Sequence, residues 1–458
     1  MTRCLIGRYW RGVRHARASL AHAANAGAWP RVCAKALLLA LALTGGAAPA
    51  GAQQTGGPLG ATLDGLLAEA RTRHPELQAM RHEADAAAAR MGSAGVLADP
   101  MMQVELRDFT NEMSGGSPSL LPGRVGSTRY QIRQTLPPWG SRDARRETAK
   151  AGADEARLRA EAAWTDLALR IKAAYARWQQ QHATALQTRE LLQLAERMEA
   201  AAQARYASGR AAQQDVIRAQ VERTTLASEL LMLEAEIAAL RARLNGLLAR
   251  DAGAPLAPPR TDLRDAAALP ALARLDPAAL RERVLARNPQ LAAEDARLRG
   301  ARSGEDGVRA NRYPMFTVGL APIQQRSRIA EWELMFEVSI PLQQGGRRAD
   351  EREAQSMVAA AQARRDAAAN ALLAELGEQL AALEAARRID ALTVGTLLPQ
   401  AELTVQAALA GYETGTVDFA TVIDAQRQVR NAQLTLLRTR AEALMRLAEI
   451  ERIVGGEL

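Results

Sequence analysis

Few side chains in this sequence are spaced to do chemistry. Met101, Met102 and Met113, with His74 and His82, are of the soft-ligand type, but no ligand spacing recurs among them. Packing methionines and surface histidines account for them better, so no resident metal and no cofactor are expected. The two cysteines, Cys4 and Cys33, both precede an apolar run, which leaves the chain beyond it without thiolate or disulfide chemistry. No lipid-attachment cysteine follows that run. A phosphate loop, a nucleophile elbow and a metal-ligand pair at usable spacing are all missing, so enzyme activity is not expected. What remains is a set of carboxylates, Asp215, Asp418 and Asp424, at the starts of predicted helices. There a carboxylate can do no more than favour the N-terminal turn through the helix dipole. Any further role depends on what those helices build.

Charge is informative once it is located. The chain has 59 basic and 51 acidic residues, yet residues 1–52 hold seven of the bases (Arg3, Arg8, Arg11, Arg14, Arg17, Arg31, Lys35) and no acid. The remainder carries 52 bases against 51 acids, which removes the argument for a nucleic-acid partner. Arg31 and Lys35 precede the apolar run Ala36–Leu43, too short for a membrane-spanning helix, and Ala50-Gly51-Ala52 follows. This pattern predicts a signal peptide over 1–52, with an unusually long basic start that a later translation start near Val32 would explain. No other stretch is apolar enough for a transmembrane helix. A closed barrel of strands is the other structure that lipid allows.

Two copies of one unit occupy the rest. Arg73-His-Pro-Glu-Leu77 recurs as Arg287-Asn-Pro-Gln-Leu291, Tyr130–Pro137 as Leu334–Pro341, and Arg205-Tyr-Ala-Ser-Gly209 as Gly411-Tyr-Glu-Thr-Gly415, at offsets of 214, 204 and 206 residues. Three landmarks in one order at a near-constant offset indicate duplication. The repeats are placed at 53–260 and 261–458. Each reads helix, strand, strand, long helix, turn, shorter helix. In the first copy these cover about Leu63–Val96, Met101–Phe109, Thr128–Leu136, Ser141–Ala207 and the stretch from beyond Gly209 to Ala249. Along the last helix Leu226, Leu230, Leu233, Ile237, Leu240, Leu244 and Leu247 alternate spacings of 4 and 3, a coiled-coil seam or the stripe of an ordinary bundle helix.

Lengths constrain how these parts stack. A helix of 67 residues spans roughly 100 Å at its usual rise. The shorter helices of that copy together nearly match it, and so do Pro277–Asn311 and Phe419–Val454 against Gly345–Glu413 in the second copy. A wall one long helix high is predicted, with the strand hairpins at one end, the glycine turns at the other and the short helices meeting midway. The proline-rich segment Asp251–Asp276 would lie at that junction.

The strands name the solvent at their end. Trp332, Leu334, Phe336, Val338 and Ile340 alternate with Glu331, Glu333, Met335, Glu337 and Ser339; Tyr130, Ile132 and Leu136 alternate with Arg129, Gln131, Arg133 and Thr135; Phe316 and Val318 continue the apolar set. Six of the 16 aromatic residues fall in or beside these strands, as in a lipid-facing band with interfacial girdles. A soluble sandwich buried on one face would show the same alternation. Four strands cannot close a barrel with a lumen, and an open edge cannot sit in lipid, so a membrane reading requires several protomers; three would give a 12-stranded barrel.

The stretch Gly411–Arg427, with Tyr412, Gly415 and Val422-Ile-Asp-Ala-Gln-Arg427, closely resembles the second-repeat turn of TolC-like outer-membrane factors, and Arg205–Ile217 resembles its first-repeat counterpart. The resemblance covers nearly all of residues 60–456. It implies a mainly α, tandem-repeat TolC-like fold, in which a coiled-coil helical barrel stands under a trimeric transmembrane β-barrel with four strands from each protomer. It also implies a homotrimer in the outer membrane of a Gram-negative bacterium, reaching into the periplasm and docking to a periplasmic adaptor and an inner-membrane pump of the RND type. On the same grounds Asp424 would belong to a periplasmic carboxylate constriction, with Thr421 at a position where some members carry a second acid. Asp215 and Tyr412 would make gate-locking contacts, while Val417 replaces a basic partner found in some members. Gly209, Arg210, Gly415 and Thr416 would form the adaptor-contacting tip. Leu97–Met102 and Leu136–Arg146 resemble the branch that serves heavy-metal cation exporters; drug efflux and type I secretion remain open within the family. Outside it, a soluble periplasmic adaptor or a coiled-coil scaffold is the alternative. An adaptor should carry one hairpin flanked by many short strands.

Overall fold

The computed structural model describes residues 59–458 apart from 114, 261 and 265–274, so the expected leader and part of the linker fall outside the described residues. The first copy comprises α1 (Leu63–Arg73), α2 (Pro75–Ala94), β1 (Met101–Arg107), β2 (Ser127–Leu136), α3 (Ser141–Ala207) and α4 (Gln213–Leu247). The second comprises α5 (Pro277–Arg287), α6 (Pro289–Ala310), β3 (Met315–Gln325), β4 (Arg328–Ser339), α7 (Gln344–Leu392), α8 (Leu398–Thr414) and α9 (Phe419–Val454).

Proline sets the departures from the expected helices. The helix expected over Leu63–Val96 breaks at His74, and its counterpart breaks at Asn288. Each residue precedes a proline and adopts extended backbone (ψ 119° and 122°), because the following ring disfavours the helical region. Asn288 makes the break useful: its amide donates to the Ile453 carbonyl at 2.9 Å and its Oδ1 accepts from the Leu291 amide at 2.9 Å. The second long helix is interrupted by a single π-helical turn, Thr393–Leu397. Pro399 has no N–H to donate and its ring would strike the carbonyl four residues earlier, so a widened turn accommodates it. The strand expected to reach Phe109 stops at Arg107, where Asp108 turns to positive φ.

Packing gives a wall four helices wide. At the sheet end α2 lies against α3, α3 against α6 and α6 against α7; at the turn end α3 lies between α4 and α9, with α8 beyond α9. The short helices therefore continue one another along the flanks of α3, as their lengths predicted. The meeting point is a core near the middle of α3. Leu66, Ala70 and Leu77 arrive from one short pair, Leu240, Leu244 and Leu248 from the end of α4, and Leu167, Ile171, Tyr175 and Trp178 from α3. Tyr175 donates to the Ala61 carbonyl at 3.0 Å, and burial, with Asp64 nearby, pushes its phenol up to about 12. The duplicate junction joins Leu280, Val284 and Leu291 to Leu372, Leu376 and Leu383 of α7 and Leu447, Ile450 and Ile453 of α9. Leu226, Leu233, Leu240 and Leu244 of the α4 seam are buried, as a helix packed along its length on one neighbour requires.

The four strands form one antiparallel sheet in the order β1-β2-β3-β4, with β1 and β4 at open edges. Cross-strand partners share a face. Met102, Ile132 and Leu320 fall in one row with Leu334, and Leu136, Phe316 and Val338 in another. The register shift after Ile323 skips Ala330, so Ile329 rather than Arg328 continues the apolar face toward the β3–β4 turn.

Candidate functional site

The turn end is built by two left-handed glycines. Gly209 (φ 76°) ends the α3 rise and Gly415 (φ 77°) ends α8, conformations that a side chain would strain. Arg210 donates back to the Arg205 carbonyl at 2.8 Å and Thr416 to the Gly411 carbonyl at 2.9 Å. Gly209, Arg210, Gly415 and Thr416 are all exposed at these turns.

Behind the tip, α3, α4, α8 and α9 close on a small core of Ala202, Ala219, Phe419 and Ile423, with Tyr412 packed against it. The Tyr412 ring lies 5.5 Å from that of Phe419 and the Arg205 guanidinium sits 4.3 Å from its centroid, a cation–π contact between α3 and α8. Its hydroxyl is buried without a hydrogen-bond partner among the described residues. Asp215 is half-buried in the first turn of α4. The two side chains are not hydrogen-bonded to one another in a single protomer.

The three helix-start carboxylates separate by geometry. Asp418 caps α9: it accepts from the Thr421 amide at 3.0 Å and the Thr421 hydroxyl at 2.6 Å. Those two donors, with Arg218 at 4.0 Å, hold its carboxyl below the usual range. Thr421 is thereby committed to the cap. Asp424, one turn on, is largely exposed and lies 3.6 Å from Arg427. Arg427 in turn reaches Glu222 of α4 at 2.7 Å, and Arg430 pairs with Glu229. These cross-repeat pairs were not among the expected site residues. Their signal in the sequence was the near-repeat offset that separates Glu222 from Arg427, a weak one in a chain so rich in charge.

At the sheet end, Trp332, Leu334 and Phe336 are exposed by 65%, 77% and 65%, values that leave them largely uncovered by the other described elements. Ile132, Val318 and Val338 are exposed on the same face, with Phe316 and Tyr130 half-buried beside them. Phe316 stacks with Phe336 at 5.8 Å and meets Trp139 edge-on at 5.8 Å. Tyr130 donates its hydroxyl to Gln324 at 3.1 Å. The opposite face is polar, with Arg129 2.7 Å from Glu333 and 3.8 Å from Glu105. No helix among the described residues is long and apolar enough to cross a membrane. No cluster of His, Cys, Asp or Glu that could hold a metal ion is present among them either.

Tandem helix-strand-strand-helix copies, a wall of long helices and one open-edged amphipathic sheet define the TolC-like class of fold. The chain belongs to the outer membrane efflux protein family, whose model matches residues 66–250 and 280–456. Solved structures agree on the fold. The outer-membrane channel OprN superimposes with a TM-score of 0.71 at 20% identity, over 86% of this chain and 90% of its own. CusC gives 0.72 at 18% identity over 86% and 92%, and the outer membrane protein VceC of Vibrio cholerae 0.70 at 17% over 86% and 96%. No curated protein sequence matches the chain.

Proposed function

We propose that three copies of this chain close into one duct through the outer membrane and periplasm, a passive export channel fed by an inner-membrane pump through a periplasmic adaptor. The observation that carries this reading is the sheet. It exposes an apolar, aromatic-bearing face, keeps its charges on the other, and leaves β1 and β4 unpaired. Lipid tolerates such a sheet only when its edges are paired, and the β4 edge of one copy on the β1 edge of the next completes a twelve-stranded barrel. The helical wall has the same incompleteness. Ile217, Val221, Leu231 and Met232 of α4 are exposed on one border, and Leu392, Leu397 and Leu403 on the other. Family membership supports the trimer, the adaptor and the pump, which we take to be of the RND type.

In the trimer Asp424 forms a ring of carboxylates that repel one another and favour cations at the periplasmic entrance. Asp215 and Tyr412 supply gate-locking contacts between neighbouring helices, Thr421 lines the same turn, and the Gly209 and Gly415 tips receive the adaptor. The two repeats, 53–260 and 261–458, supply one half-wall each. Heavy-metal cations are the cargo we favour, on the likeness of Leu97–Met102 and Leu136–Arg146 to the metal-exporter branch.

Fractionation with planar-bilayer recording tests the duct. The mature protein is expected in the outer-membrane fraction and, purified in detergent, to open discrete conductance steps. Recovery from the soluble periplasm alone, with no conductance, overturns the proposal in favour of a soluble adaptor or scaffold.

A further inference from the structure

The polar face of the sheet has a structure of its own. β3 contributes two small residues there, Gly319 and Ala321, at the centre of the four-strand face. A Cβ on Gly319 would come within 3.1–3.2 Å of Arg133, Gln131 and Met335 atoms, so long side chains of β2 and β4 already fill the space above it. Two bridges use this trough. Gln131 Nε2 donates to Met335 Sδ at 3.2 Å, and the Arg129 guanidinium crosses over β3 to Glu333 Oε2 at 2.7 Å.

Each bridge joins positions 204 residues apart, the offset at which the second strand of the first repeat recurs in the second. Duplication has placed opposite charges at equivalent positions. β2 carries Arg129 and Arg133 where β4 carries Glu333 and Glu337. Only the first of these pairs is closed. Arg129 is also 3.8 Å from Glu105, which Arg107 shares at 3.1 Å. Between the bulge and the helices the polar face thus holds the carboxylates Glu105, Glu331, Glu333 and Glu337 against the guanidiniums Arg129 and Arg133, with Arg107 and Arg328 in the outer row beyond the bulge.

We propose that the Arg129–Glu333 bridge sets the ionic preference of the barrel lumen, an inference that rests on the duct reading above. With the bridge closed, Glu333 is neutralised in place and this stretch of the face keeps a surplus of two carboxylates per protomer, a mild preference for cations. Removing the guanidinium alone exposes Glu333 and half-releases Glu105, three times over in a trimer. In the narrow, low-dielectric surroundings of a barrel such charges act on passing ions far more strongly than in open water.

Reversal potentials across planar bilayers in a tenfold potassium chloride gradient test this with the full mature chain. Arg129→Gln is expected to raise the potassium-to-chloride permeability ratio about twofold or more. Glu333→Gln should lower it, and the double variant should return to the wild-type ratio, because the intact pair contributes no net charge. A bridge that merely braces the sheet changes the heat stability of the assembly and leaves the reversal potential where it was. Wild-type channels that conduct, with both single variants at the wild-type ratio, overturn this inference and leave the duct reading standing. If Arg129→Gln does not assemble, Glu333→Gln alone decides. A wild-type chain that opens no conductance overturns both.

Discussion

Asp418 and Asp424 show how far one residue can be read without its surroundings. In the sequence Asp215, Asp418 and Asp424 are equivalent acids near helix starts, each able to do no more than favour a first turn. Asp418 does this: its oxygens take the Thr421 amide and hydroxyl, and the cap consumes them. Asp424 caps nothing and is exposed, with only a 3.6 Å approach from Arg427, itself held at 2.7 Å by Glu222. The gate position was indicated by its likeness to a family motif; its availability could be judged only once Thr421 was seen bound to the neighbouring acid. Asp424→Ala is therefore expected to raise single-channel conductance and weaken cation preference, while Asp418→Ala lowers the unfolding temperature without changing selectivity. Unchanged conductance and selectivity for Asp424→Ala would remove it from the constriction.

At the scale of elements, the lengths and ends of the helices were nearly all legible. Apolar periodicity and glycine stops place α3 and α9 to the residue, and alternation places all four strands. The breaks missed within the helices share one cause. His74, Asn288 and the turn around Gly395 are backbone responses to Pro75, Pro289 and Pro399, and a periodic pattern of side chains runs through such breaks without changing. The midway junction, by contrast, was an inference from length that the packing supports, since Leu66, Leu244 and Leu248 all reach the centre of α3. That junction should be a point of high stability. Leu244 is fully buried, so Leu244→Ala is expected to cost about 2–5 kcal/mol and to lower the denaturant midpoint. Leu231→Ala, on the exposed border of α4, should leave the isolated protomer unaffected and weaken assembly instead. Equal losses in both would mean that the two borders of the wall are not where protomers meet.

The described residues of one chain leave three kinds of surface uncovered. A four-stranded sheet with open edges, an uncovered aromatic face and a helical wall with apolar borders are three separate deficits, and a closed ring of copies removes all three. The number of copies was the least legible property, because no residue encodes it. The proposed three rests on family membership and on the pore size that twelve strands leave. Light scattering on the detergent-purified, unheated complex, corrected for bound detergent, tests the central claim most directly. The account predicts a protein mass of three mature chains that falls to one on heating. A single-chain mass in mild detergent, from protein that still shows its full helical content, would contradict it.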